Sequence, residues 1–134
     1  MVVTQQRDEV DALRERGVPA VFGDATNPEV LELVHLERAR VLIIASADHH
    51  EARSIVDHAR RIKPELDIIV RTDSDTEAAR LRAAGPRVQP IHGERELAVQ
   101  MARYTLRRFG VSATEAEAIA QGLRDRSRAT QPAR

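Results

Sequence analysis

Cysteine and tryptophan are absent from this chain, and aromatic residues make up only 2% of it, one Tyr and two Phe. Without cysteine there is no disulfide framework and no thiolate metal site, a composition that fits a reducing compartment. With so few aromatics, the core has to be assembled from Val, Ile, Leu and Ala. An excess of charge is missing too. Lys+Arg and Asp+Glu both number 21, so bulk electrostatics gives no reason to expect nucleic acid or anionic lipid as a partner. No apolar run approaches the roughly 18 residues that cross a bilayer, and the first residues lack the pattern of a secretory signal. Any association with a membrane therefore has to come through a partner or a longer chain.

What is present is a globular composition, 42% hydrophobic over 134 residues, enough for one domain with a real core. Short β-branched runs alternate with helical patterns. Val2-Val3, Pro19 to Phe22, Val41 to Ala45, Ile68 to Val70 and Val88 read as strands. The unbroken apolar run Val41-Leu42-Ile43-Ile44 predicts a parallel strand buried on both faces. This alternation predicts an α/β fold, a Rossmann-like sheet of about five parallel strands with helices on both faces.

Helix starts are marked by a capping residue with glutamate three positions later: Thr26 and Glu29, Asp48 and Glu51, Ser74 and Glu77, Ser112 and Glu115. Pro28 suits a first helical turn, and Gly17, Gly85 and Gly110 follow helical stretches where a left-handed cap is wanted. The third helix carries Ala52, Ile55, Val56, Ala59 and Ile62 on one face. The fifth, about 92–109, carries Leu97, Ala98, Met101, Ala102, Leu106 and Phe109, a stripe that serves either as core or as a contact between copies. The sixth is expected over about 113–126, followed by a polar, frayed tail.

Catalytic signatures are lacking. There is no nucleophile elbow, no H-E-x-x-H and no Walker loop, and Tyr104 has Arg108 rather than a lysine four residues on. The chain reads as a non-enzyme. His35, His49, His50, His58 and His92 do not amount to a metal site, because adjacent helical histidines point about 100° apart. The Arg103, Arg107 and Arg108 stripe reads as a solvated face or as a surface for an acidic partner.

Four stretches carry a resemblance to a known family: Leu13 to Pro19, Phe22 to Leu31, Leu36 to Ala45, and Gly93 to Leu97. The most specific is Phe22-Gly23-Asp24-Ala25-Thr26-Asn27-Pro28-Glu29-Val30-Leu31. Together they resemble the RCK N-terminal, or TrkA-N, domain, and within it the C-terminal regulatory region of Kef-type potassium/proton antiporters. The resemblance implies a domain at 1–110 that senses NAD(H) or an AMP-type nucleotide and regulates potassium transport. It implies a C-terminal helix and polar tail at 111–134, and a cytoplasmic location at the inner face of the membrane. The partners it implies are a second copy of the chain, or higher self-association, and a membrane antiporter or channel subunit.

On this reading the family's first strand and its G-x-G-x-x-G loop precede Val2 and are missing, as in an N-terminally truncated domain. The candidate cofactor-binding residues are Thr4, Asp24, Ala25, Ser46, Asp48 and Arg71, gathered at the carboxyl ends of strands where open parallel sheets bind ligands. Asp24 either contacts the adenosine or simply caps the turn into the second helix. Thr4 stands where the family usually has a ribose-binding acid. Ala52 stands where the family commonly has an asparagine. With the loop and the acid missing, nucleotide binding is expected to be impaired. The alternative is a degenerate structural or dimerising fragment without ligand.

Overall fold

Each β-branched run of the sequence becomes a strand, and each is followed by a helix that carries the chain back to start the next in the same direction. The computed structural model describes residues 1–46 and 48–129. The strands are β1 (Val2–Thr4), β2 (Ala20–Phe22), β3 (Val41–Ile44), β4 (Asp67–Thr72) and β5 (Val88–His92). The helices are α1 (Arg7–Glu15), α2 (Pro28–Leu33), α3 (His49–Ile62), α4 (Asp75–Ala83), α5 (Gly93–Arg108) and α6 (Ala113–Ala129), with a 3-10 turn at Leu36–Arg38. Among the described residues every strand pairing is parallel. The architecture is Rossmann-like α/β.

The strands form two sheets rather than one. β1 pairs with β2, Val2 opposite Ala20 and Thr4 opposite Phe22, while β3, β4 and β5 form a separate sheet in that order. The main core belongs to the second sheet: Ile44, Ile68, Val70 and Val88 from the strands pack with Ala52, Ile55, Val56 and Ala59 of α3 and Leu81 of α4. The β1-α1-β2 unit has its own small interior at Val10 and Ala20. It is clamped by Arg14, whose Nε and Nη2 both donate to the carbonyl of Ala20, at 3.0 and 2.9 Å. After α1, Gly17 takes φ 74°, which lets the amide of Val18 reach back to the carbonyl of Leu13 at 2.9 Å.

The division of the sheet corrects the reading of Val41 to Ile44. That strand is not buried on both faces: Ile44 is 4% exposed, but Val41 is 48% and Ile43 70% exposed. α1 stays with its own pair of strands, so the face of β3 carrying Val41 and Ile43 is left largely uncovered. Its apolar run reflects a face without a partner among the described residues, not a doubly buried strand.

Capping follows the sequence at three of the four sites. Asp48 accepts from the amides of His50 and Glu51, Ser74 from Glu77, and Ser112 and Glu115 cap each other reciprocally. At the fourth the cap is Asn27, which accepts from the amide of Glu29 at 3.0 Å, not Thr26. Pro28 sits at the first turn as expected. Thr26 is drawn away because both its amide and its hydroxyl donate to Asp24.

On the α5 stripe it is the reading as core that is corrected. The helix buries Val99, with Ala102 and Leu106 partly covered, whereas Leu97 and Met101 are each 62% exposed and Phe109 83%. The inward face is thus rotated from the one the sequence suggested. α6 lies against α5 through Ala116 and Ala120, both fully buried, and through ion pairs of Arg124 with Glu96 and of Arg103 with Glu117. It runs to Ala129, beyond the predicted end, and residues 130–134 of the tail lie outside the described residues.

α3 and α4 are tied by Arg53, which donates through Nε to Glu77 at 2.6 Å and through Nη2 to its second oxygen. Glu77 is 3% exposed, so a fork-like guanidinium is the partner a buried carboxylate needs. The Arg53 hydrogen bonds, aided by its charge, hold the Glu77 carboxyl below the usual range against the opposing effect of burial. A carboxyl depressed in the folded state adds stability that is fully present above about pH 4.3 and is lost as pH falls through the folded value. Glu77→Gln is therefore expected to lower the urea midpoint at neutral pH and to flatten its fall on acidification. A variant whose midpoint follows the wild type at every pH would contradict this.

Candidate functional site

A parallel strand ends with its carbonyls and side chains directed at the turn that starts the next helix, so polar residues there share one edge of the fold. The turns after β1 and β3 are built alike. Thr4 Oγ1 accepts from the amide of Gln6 at 3.3 Å and donates to Glu9 Oε2 at 2.6 Å. Ser46 Oγ accepts from the amide of Asp48 at 3.1 Å and donates to Glu51 Oε2 at 2.7 Å. In each turn a hydroxyl at the strand end folds the backbone over itself and holds a glutamate from the first turn of the following helix. After β4 the hydroxyl of Thr72 accepts from the amide of Ser74 at 3.2 Å, the same local turn without the glutamate.

Asp24 lies beside the first of these turns. The amide of Gly23 donates to the carbonyl of Thr4 at 3.0 Å, which brings the two strand ends together. Asp24 Oδ1 accepts from Thr26 twice, from its hydroxyl at 2.7 Å and its amide at 2.8 Å. Those bonds, the hydroxyl's first, hold the Asp24 carboxyl below its usual range. The turn-capping geometry is thus present; Asp24 is exposed, and its Oδ2 makes no hydrogen bond among the described residues. Ala25 is only partly buried and packs against the main core. Close by, the Arg7 guanidinium sits 4.3 Å from the centroid of the Phe22 ring.

The other candidates separate. Ser46 and Asp48 meet in the β3 turn, and Asp48 spends its carboxylate on the first amides of α3. Those backbone bonds, from Glu51 and then His50, lower its pKa. The helix N-terminus that could have faced an anion is therefore already occupied by its own side chain. Arg71 is exposed in β4 and faces Asp73, Nη2 to Oδ2 at 3.4 Å. Gly93 packs beside it, and a Cβ there would lie 3.0 Å from Asp73 Oδ1, a contact that the Asp73 side chain would have to yield to. No hydrogen bond among the described residues joins the Thr4–Asp24 group to the Ser46–Asp48 group or to Arg71, and Ala47 lies outside the described residues. Among them, no group of three His, Cys, Asp or Glu could hold a metal ion.

Sequence reasoning missed Glu9, and it read Glu51 only as the capping partner of Asp48, not as the acceptor of the Ser46 hydroxyl. The signal that could have found them is a repeated spacing: each glutamate follows a hydroxyl residue at a strand end by five positions.

Parallel strands joined by helical crossovers, with polar residues along one carboxyl edge, define a Rossmann-like α/β domain. Residues 1–88 match the TrkA-N domain, and the chain belongs to that family. The putative cation/proton antiporter YbaL of Escherichia coli K12 is 44% identical over 101 residues, covering 75% of this chain and 18% of the relative. The crystal structure of its TrkA-N domain superposes with a TM-score of 0.69 over 75% of this chain and 74% of that one. The glutathione-regulated potassium-efflux protein KefC of Klebsiella pneumoniae strain 342 is 34% identical over 116 residues, 87% of this chain and 18% of the relative. The C-terminal domain of Kef from Shewanella denitrificans, solved in an AMP-bound form, gives a TM-score of 0.73 at 21% identity, over 96% of this chain and 92% of that one. The matched part of this chain spans 18% of the length of each of these two curated antiporters. No helix among the described residues is long and apolar enough to cross a membrane.

Proposed function

We propose that this chain is the non-catalytic, nucleotide-sensing regulatory domain of a Kef-type potassium/proton antiporter, acting at the cytoplasmic face of the membrane. The observation that carries this reading is the pairing of the β1 and β2 strand ends. It ties the end of β1 to Gly23, the residue before Asp24, and leaves the second carboxylate oxygen of the exposed Asp24 available to an adenine nucleotide, AMP or NAD(H). The fit is partial. Carboxylates suit the hydroxyl and amine donors of adenosine. The phosphate has less to meet, because the first amides of α3 are held by Asp48 and Arg71 stands off with Asp73. Ser46 and Arg71 border the ligand from the second sheet, and Ala25 supports the turn from below. Binding is accordingly weakened. Residues 1–110 form the sensing unit, and 111–134 an appended helical segment docked on α5.

Calorimetric titration with AMP, NADH and NAD tests the reading: saturable heat at micromolar to millimolar ligand supports it, and none sinks it. Two variants separate the roles of Asp24. Asp24→Asn keeps an acceptor for Thr26, so it is expected to melt like the wild type and bind AMP about tenfold more weakly, the loss of one charge-assisted hydrogen bond. Asp24→Ala loses the turn bonds as well. A lower melting temperature in Asp24→Ala, with unchanged affinity in both, returns Asp24 to turn-capping alone.

A second reading is a structural or dimerising fragment without ligand. It is favoured by the exposed stripe Leu97, Met101 and Tyr104 on α5, spaced to line one helix face.

A further inference from the structure

We infer that the groove between α3 and α4 is a second binding site, for a small zwitterion: a free α-amino acid with an aliphatic side chain. The site lies outside the strand-end turns and does not depend on the nucleotide-sensing reading. The two helices are tied to each other at both ends of the groove. At one end Arg53 holds Glu77 through two hydrogen bonds. At the other, Arg60 of α3 lies against Gly85, just past α4, where a Cβ would stand 2.8 Å from Arg60 Nη2. Between these ties the helices leave a cavity of about 210 Å³. That is smaller than the roughly 300–1,000 Å³ of sites for drug-sized ligands, so the occupant is small.

Spacings of three and four residues put Asp57 one turn after Arg53 on the same face of α3, and Arg80 one turn after Glu77 on the same face of α4. Val56 and Leu81, each 2% exposed, and Ala84 give the groove an apolar lining. Two carboxylates and two guanidiniums complete it, so the lining is electrically balanced. One of each is spent, Arg53 on Glu77. The other two, Asp57 and Arg80, are exposed, and neither has a hydrogen bond or ion pair among the described residues. They belong to opposite walls and do not pair with each other. A ligand that brings an ammonium to Asp57 and a carboxylate to Arg80 gives both walls charge-assisted hydrogen bonds, and its net charge of zero matches the lining. A simple anion or cation would leave one wall unmatched. Arg60 supplies a further cationic donor beside Gly85, since its Nη1 is buried with no hydrogen-bond partner among the described residues. An aliphatic side chain on the ligand covers Val56 and Leu81 and removes apolar surface from water.

The test is an NMR titration of the full chain with three probes: L-leucine, isoamylamine, which is leucine without its carboxylate, and isocaproate, which is leucine without its ammonium. The wild type is expected to bind leucine saturably at millimolar concentration, with shifts confined to α3 and α4, and each analogue about tenfold more weakly, the loss of one charge-assisted hydrogen bond. Asp57→Asn is expected to weaken leucine to the level of isocaproate and leave isocaproate as it was. Arg80→Gln is expected to weaken leucine to the level of isoamylamine and leave isoamylamine as it was. Both side chains are exposed and unpaired, so both variants should melt like the wild type. A wild type that binds leucine no better than either analogue, or not at all at millimolar concentration, overturns the site. So do variants that keep the wild-type preference. AMP binding stands or falls separately, because Thr4 and Asp24 are not part of this groove.

Discussion

Replacing Ile68 by alanine is expected to cost about 2–5 kcal/mol of stability, the range for truncating a large aliphatic side chain in a packed core. A small domain has only about 5–15 kcal/mol in total, so this one change should remove much of it. Ile68 is fully buried in β4, the middle strand of the three-stranded sheet. It pairs with Leu42 on one side and Val88 on the other and belongs to the main core. Collapse around the cavity would have to move β3 or β5, and both are fixed by their ladders to β4. Ile43→Ala is the matched control. It removes the same atoms from the neighbouring strand, but Ile43 is 70% exposed, and surface changes stay within about 0.5 kcal/mol. Urea denaturation of the two variants checks the contrast. Equal losses would mean that the core lies elsewhere.

That contrast also marks where the sequence could be read and where it could not. Ile43 and Ile68 sit in similar β-branched runs, and composition gives each a strand. Pairing is a different matter. Periodicity reports which residues form a strand but not which strands meet, so five runs in alternation with helices suggested one sheet where the chain forms a pair and a triplet. The helix starts were legible because a cap is chemistry within four residues, as at Asp48, Ser74 and Ser112. The Thr26 cap failed through competition: Asp24, two residues earlier, takes both the amide and the hydroxyl of Thr26, and the capping role passes to Asn27. On α5 both faces are apolar, Leu97 and Met101 on one and Val99 and Leu106 on the other. A period of 3.6 fits either, and only packing decides. At the candidate site the strand-end positions Thr4, Asp24 and Ser46 could be read from topology. The glutamates that hold two of those hydroxyls show only in their repeated five-residue spacing, which is easily overlooked because a helix's first turn is acidic for electrostatic reasons in any case.

The second large effect concerns association. The chain is expected to self-associate at micromolar concentration, and Ile43→Lys is expected to shift it toward monomer by at least about tenfold in dissociation constant, equivalent to about 1.4 kcal/mol. Among the described residues β3 pairs only with β4, and β1 only with β2. The far edges of β1 and β3 therefore present unpaired backbone donors and acceptors, the template for adding a strand. Beside the β3 edge lies the uncovered face of Val41 and Ile43, and burying apolar surface of this kind yields roughly 25 cal/mol per Å². Edge and face together favour either a second copy or an extended apolar segment laid parallel to β3. Direct pairing of β1 with β3 would remove both edges at once, but it would have to bring α1, held to β2 through Arg14, across the β3 face. A lysine at 43 puts a hydrated charge on the exposed face, which water tolerates and an apolar contact does not, and it leaves the Leu42 and Ile44 side of the strand untouched. Sedimentation velocity on both proteins, with thermal melts to confirm that each is folded, checks the claim. A wild type that sediments as a monomer and melts cooperatively at micromolar concentration would show that the open strands are satisfied by water alone.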